Sequence, residues 1–245
     1  MASSIDVVRI TKADIPEAVE CIQKAFAEDP YFKWAFNDPS KFNVDRNAAS
    51  LAAHFLYGIN CDAPIYVAKQ TTHPTTVKSA AGLHIEYHTP RIVGVCWWYD
   101  PKPASAPEPW SVWTQEWILS FRQLLNNIRF LGRGGLNIHR YWIWKDVQKK
   151  THDVVWKDPR GYYFCNVIAV DSGMRGMGVG RKLVEVVTDK ADAEGIPCYL
   201  ESSKGMPNLK IYEKLGFESV KEIECVDGGD TCKLYCMIRQ PKTKA

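Results

Sequence analysis

The sequence predicts an α/β (α+β) domain: a mixed central β-sheet flanked by helices. Three observations carry this reading. Apolar runs of six or more residues, such as 163–170, suit strands covered on both faces. Other segments repeat their apolar residues at helical spacing. The stretch 162–217 reads strand, glycine-rich turn, helix (182–194), strand (196–202) and short helix. A length of 245 residues suits one domain, spanning 1–245, with an insertion. With 46% hydrophobic and 24% charged residues the composition is that of a globular protein, so no disordered or fibrous class is needed. A net charge of +3 is too small to argue for a nucleic-acid partner. No apolar run approaches the ~20 residues of a membrane span, so no membrane association is expected. Residues 1–6 hold neither a basic cluster nor an apolar signal core, so a cytoplasmic location is expected. The eight cysteines form no C-x-x-C pair, which argues against zinc and a disulfide framework.

Along the chain, Val7, Val8 and Ile10 read as a first strand. Asp14 is placed to cap a helix with Pro16 and Glu17 in its first turn and Ile15, Val19, Ile22 and Phe26 on one side. That helix should stop before Asp29-Pro30, because the residue before proline avoids helical angles. The aromatic cluster Tyr31, Phe32, Trp34 and Phe36 either packs a loop onto the core or lines an acceptor pocket. A second helix is expected at 46–59, and strands at 65–68, 83–87 and 92–98, the last ending at Trp98. Between the first two of these strands, the polar stretch 71–80 contains Pro74 and reads as a mobile loop. His84, Glu86 and His88 share a strand face, but alternation on a solvated edge strand explains them, and no metal site is expected. A proline-rich break precedes a tryptophan-rich helical insertion at about 103–158. Its tryptophans either bury the insertion or build a lid or acceptor wall. Two strands, 219–226 and 232–239, close the chain around a Gly228-Gly229 hairpin signal.

The turn from Arg175 to Arg181 is the chemical feature. Helix-start N–H groups and the helix dipole attract anions. Gly176, Gly178 and Gly180 let backbone approach a bulky anion, and Arg175 and Arg181 add charge. The spacing matches neither a Walker A loop nor a dinucleotide fingerprint. By itself such a turn is equally well a plain strand-to-helix connection. The wider arrangement is more specific. Arg175-x-x-Gly178-x-Gly180 resembles the pyrophosphate loop of the GNAT superfamily of acyl-CoA N-acyltransferases. The segment 208–217, with Asn208, Tyr212, Gly216 and Phe217, resembles that family's second signature, at the expected separation. Leu200-Glu201-Ser202-Ser203 is similar to the puromycin-acetyltransferase-like small-molecule group.

The resemblance implies a GNAT fold, in which the fourth and fifth strands, here about 163–170 and 196–202, splay apart. The insertion would lie between the family's third and fourth strands. Acetyl-CoA would be the co-substrate, with no metal. Its arm would bond the backbone of Ile168, Ala169 and Val170, and its pyrophosphate would rest on Arg175, Gly176, Met177, Gly178, Val179, Gly180 and Arg181. Asn208 would hydrogen-bond the arm, or serve as a helix N-cap. Tyr212 would be the general acid, although with Leu209 and Leu215 it also makes a buried stripe. Glu201 is either the general base, directly or through water, or a structural acid paired with arginine or lysine. Glu28 and Asp29 are placed to attract a cationic amine, and Trp34 and Trp98 to line its pocket. Covalent catalysis through Cys165 or Cys198 is not expected, because no partnered histidine is evident. The implied activity is direct transfer, in a ternary complex, of an acetyl group to a primary amine of a small molecule, as in detoxification. A peptide acceptor and a non-catalytic acyl-CoA-binding module are the competing readings. The chain would act as a monomer or homodimer.

Overall fold

The structure, a computed structural model, describes residues 4–71, 75–78, 84–87, 90–103, 105–107 and 109–242. Its strands are β1 (Ile5–Arg9), β2 (Ile65–Thr71), β3 (Thr75–Lys78), β4 (His84–Tyr87), β5 (Pro90–Tyr99), β6 (Tyr163–Val170), β7 (Cys198–Ser202), β8 (Glu218–Asp227) and β9 (Asp230–Arg239). Its helices are α1 (Ile15–Phe26), α2 (Pro30–Ala35), α3 (Val44–Asn60), α4 (Trp110–Arg129), α5 (Ile138–Val155), α6 (Val179–Glu194) and α7 (Asn208–Glu213). Seven strands form one sheet in the order β1-β2-β5-β6-β7-β9-β8. All neighbours are antiparallel except β6 and β7, which are parallel.

Strand alternation sorts the side chains to two faces. On one face Val93, Trp98, Cys198 and Leu200 pack against Val179, Leu183 and Val187 of α6. The approach is close: a Cβ on Gly94 would lie 2.8 Å from Leu183 Cδ1, so this strand position needs glycine. On the opposite face α1 and α3 cover Val67, Val95 and Ala169. Farther along that face Tyr199, Ile223, Leu234 and Cys236 meet Trp34 of α2 and Ile143, Trp144 and Val147 of α5. Two helical groups thus sit side by side over the sheet, with the β6–β7 junction between them.

Two buried arginines fix the periphery. Arg140 of α5 donates to Asp227 Oδ2 at 2.8 Å, Asp230 Oδ2 at 2.6 Å and the Trp34 carbonyl at 3.1 Å. This pins the start of α5 to the β8–β9 turn. Arg239 of β9 donates to both carboxylate oxygens of Asp192 at 2.7 and 2.6 Å, tying α6 to the sheet.

Several expectations are corrected. Asp14 does not cap α1 with its side chain; it accepts from Thr11 N at 2.9 Å and pairs with Lys69. The Tyr31–Phe36 region is not a loop: Asp29 caps the short helix α2 by accepting from Tyr31 N and Phe32 N. Residues 75–78 and 84–87 pair as a separate two-stranded sheet, so the segment read as a loop contributes a strand and the strand expected at 83–87 is not in the main sheet. The His84, Glu86 and His88 group lies outside the residues whose side chains are described.

Asp192→Ala should lower stability by about 3 kcal/mol near neutral pH, because it leaves the buried Arg239 guanidinium without its carboxylate. The hydrogen bonds from Arg239 hold the Asp192 carboxyl below the ordinary 3.8. A depressed carboxyl contributes stability above its unfolded pKa and loses it as pH falls through the folded pKa. Urea melts of the two proteins should therefore converge in acid; a constant offset at every pH would refute the assignment.

Candidate active site

The parallel pair β6–β7 is short. Its register runs Tyr163 to Cys198, Phe164 to Tyr199 and Cys165 to Leu200, and there it stops. Beyond it β6 continues on β5 alone and β7 on β9 alone. From Asn166 onward the edge of β6 facing β7 therefore has no strand partner. Ile168 and Val170 turn their backbone groups to this released edge, where they can meet an extended ligand arm, whereas Ala169, two residues before the Asp171 N–H that donates to the Val93 carbonyl, faces β5.

At the end of that stretch stands the Arg175–Arg181 turn. Gly176 and Gly178 both have φ of +80°, and a Cβ on either would enter open space. The constraint on these positions is the left-handed backbone, which glycine adopts without strain. Gly178 is the N-cap residue of α6, and no side chain caps that helix. The first-turn N–H groups of a helix have no intrahelical acceptors. Those of Val179, Gly180 and Arg181 thus point outward beside exposed Arg175 and Met177, while buried Met174 and Val179 anchor the turn to the core. This cradle of donors fits a pyrophosphate, and the released β6 edge fits the arm that carries it. The residues present thus suit coenzyme A.

A cavity of about 250 Å³ opens where the strands part. Cys165, Asn166 and Val167 of β6 form its floor, and Tyr31, Phe164 and Trp144 give it aromatic walls. Two carboxylates face it, Glu201 and Asp29. Glu201 follows Tyr199 on the α5 side of β7. Gln148 Nε2 donates to its Oε2 at 2.9 Å, Tyr199 OH donates to its Oε1 at 2.9 Å, and His152 Nε2 lies 3.1 Å from the same oxygen. Its partners are thus an amide, a phenol and an imidazole, not the arginine or lysine of the structural reading. Burial drives Tyr199 well up, which keeps its proton available to the carboxylate. His152 stacks on Trp156 at 4.2 Å between ring centres. A second cavity, about 680 Å³, touches Gln148 and His152 but neither Glu201 nor β6. Gln148 and His152 thus stand between the two spaces.

Asp29 is buried, capping α2 and accepting from Ser203 Oγ at 2.6 Å. Glu28 is fully exposed and paired with Lys33, away from the cavity. Trp34 and Trp98 do not line it either. Trp34 lies beneath the Arg140 guanidinium, and Trp98 is in the α6-side core with Nε1 donating to Cys96 Sγ at 2.6 Å. Burying an indole there outweighs presenting it to a ligand. Tyr212, on α7, is half-buried against the core near Cys165 and Cys96. Burial pushes its phenol well above the ordinary range, so it stays protonated. Asn208 is the first residue of α7, not its cap, and its side chain has no hydrogen-bond partner among the described residues. Burial raises the thiol pKa of Cys165 and pushes that of Cys198 up to about 12, so neither supplies a thiolate.

Sequence reasoning missed Gln148, His152 and Ser203. Gln148 and His152 stand four residues apart, on one helical face, and that spacing was the available signal.

The comparisons bear on the fold. An acetyltransferase (GNAT) domain model matches residues 137–219, which contain the turn, Glu201 and Tyr212. That matched segment resembles a GNAT acetyltransferase domain, and the sheet with its parting parallel pair has the fold of the solved acetyltransferases it resembles. Over 146 residues it is 32% identical to an uncharacterized N-acetyltransferase of Schizosaccharomyces pombe, covering 56% of this chain and 60% of that one. The match thus spans less than two thirds of the yeast protein. Two solved structures share the fold. One is described as histone acetyltransferase HPA2 and related acetyltransferase, from Corynebacterium glutamicum, with a TM-score of 0.55, 21% identity and coverage of 100% and 99%. The other is the Drosophila melanogaster polyamine N-acetyltransferase that forms N-acetylagmatine, with a TM-score of 0.58, 14% identity and coverage of 97% and 100%. Among the described residues no helix is long and apolar enough to cross a membrane, and no group of three potential metal ligands occurs.

Gly178→Glu should abolish coenzyme A binding, through charge in the cradle and strain at a left-handed position. Calorimetry on the folded variant checks this; normal affinity would defeat the assignment of the turn.

Proposed function

We propose that the chain is an acetyl-CoA-dependent N-acetyltransferase that acetylates a primary amine of a small molecule by direct transfer, within the puromycin-acetyltransferase-like group. The observation that carries this is the cavity at the parting of β6 and β7, small and aromatic-walled, with two carboxylates beside the released β6 edge. A protonated amine is drawn by carboxylate charge and by aromatic faces. Asp29 supplies charge from a fixed position, since three donors already hold its carboxylate. A peptide is disfavoured by a cavity of about 250 Å³.

Acetyl-CoA, when bound, supplies the acetyl group as a thioester. The free amides between Gly176 and Arg181, the Met177 N–H being held by the Met174 carbonyl at 3.3 Å, would bind its diphosphate, and Ile168, Val170 and Asn208 would orient its arm. An amide N–H near Ile168 would stabilise the reacting carbonyl oxygen. Glu201 takes the proton that the ammonium must shed, directly or through water. His152, beside Oε1, accepts that proton and passes it toward the second cavity. Tyr212 holds a proton at its phenol oxygen for the departing sulfur.

A thiol-release assay with acetyl-CoA against small amines, peptides and antibiotics tests the reading. Small amines should turn over; transfer confined to peptides, or none at all with intact coenzyme A binding, would overturn it. Glu201→Gln should lower kcat about 10²-fold, within the usual range for losing a general base, with coenzyme A affinity retained. Tyr212→Phe should likewise slow turnover at nearly unchanged affinity. Collapse of affinity with the transfer rate intact would make Tyr212 structural.

A further inference from the structure

Helix α4 turns its larger apolar stripe outward. A surface helix normally turns its apolar stripe inward. The inward face of α4, with half-buried Val112, Ile118 and Leu119, is tied to α3 by a set of polar groups. Asn60 Nδ2 donates to Gln115 Oε1 at 2.9 Å, Ser50 Oγ to Gln123 Oε1 at 3.1 Å, and Arg46 to Asn127 Oδ1 at 2.7 Å. The outward face carries Trp110, Trp113, Trp117, Phe121, Leu124 and Ile128 at intervals of three and four residues, each between 49% and 80% exposed. These tryptophans do not bury the insertion; they leave the molecule. Trp110, Trp113 and Trp117 pack edge to face at 5.4 and 6.0 Å, so the stripe is already ordered. With 20 residues α4 is about 30 Å long.

We propose that this face is a dimer interface, with α4 packing against α4 of a second copy of the chain across a two-fold axis. The area fits. At roughly 200 Å² per large side chain, the exposed parts of these six come to about 700 Å² before backbone and rim are added. A stable interface buries about 800 Å² on each partner. A patch of this size exceeds what a monomer ordinarily leaves in water. A single helix stripe is also self-complementary, as a two-fold contact demands, and two-fold dimers are the commonest homo-oligomers. Lipid is the less fitting occupant. Helices that lie on membranes carry Lys and Arg on the polar face. Here that face is held by α3, and the exposed charges along α4, Glu116 and Arg129, cancel.

Sedimentation equilibrium from nanomolar to tens of micromolar protein tests the proposal. The wild-type chain should sediment at twice its mass in the micromolar range. Trp117→Glu with Phe121→Glu should sediment at the mass of one chain, with an unchanged far-ultraviolet spectrum and at least a tenfold weaker association. If the charged pair disturbs the fold, Trp117→Ser with Leu124→Ser carries the same expectation. A wild-type chain that stays monomeric throughout, or a dimer that survives both variants, overturns the proposal. So does a monomer that floats with vesicles of phosphatidylcholine and phosphatidylserine.

Discussion

The early end of the β6–β7 pairing is the constraint on which the rest depends. Three residue pairs join the parallel strands, and after Cys165 and Leu200 they part. A backbone edge left open inside a sheet is costly unless something satisfies it. Here the open edge is not an accident of one strand. Each strand is held by a different antiparallel neighbour, β5 for β6 and β9 for β7, so the gap is enforced from both sides. The uncapped start of α6 then stands at the far end of the released edge, and the cavity at its near end. Donors for an anion, an edge for an extended arm and a lined chamber follow from one break in pairing.

The chamber is completed from a distance. Glu201 belongs to β7, but Gln148 and His152 reach it from α5, whose start is pinned by Arg140 to Asp227 and Asp230. A buried arginine that meets two carboxylates and a carbonyl fixes direction as well as place. The clamp acts with the packing of Ile143, Trp144 and Val147 on the sheet to hold the imidazole and amide beside Glu201.

What the sequence disclosed and what it concealed follow the same division. Residues 163–217 were legible because strand, turn and helix there are set by local chemistry: an apolar run, glycines at left-handed positions, a helical stripe. Glu201 was legible by its neighbourhood in that segment. Its partners were not, because Gln148 and His152 are some fifty residues upstream and become neighbours only when α5 docks on the sheet. Trp34 and Trp98 misled for the same reason. An indole near a site in sequence says nothing of which way it faces, and both were drawn into the core. The β3–β4 pair was hidden because short polar strands lack the apolar run that marks the others.

The separation of the chamber from the start of α6 has a mutational consequence. The anion cradle lies at the end of β6 and the start of α6, whereas the chamber wall is spread over α1, α2 and α3, with Trp144 and Gln148 reaching it from α5. Substitutions on α5 can reshape the chamber without disturbing the α6 start. Cradle and chamber can therefore be altered one at a time.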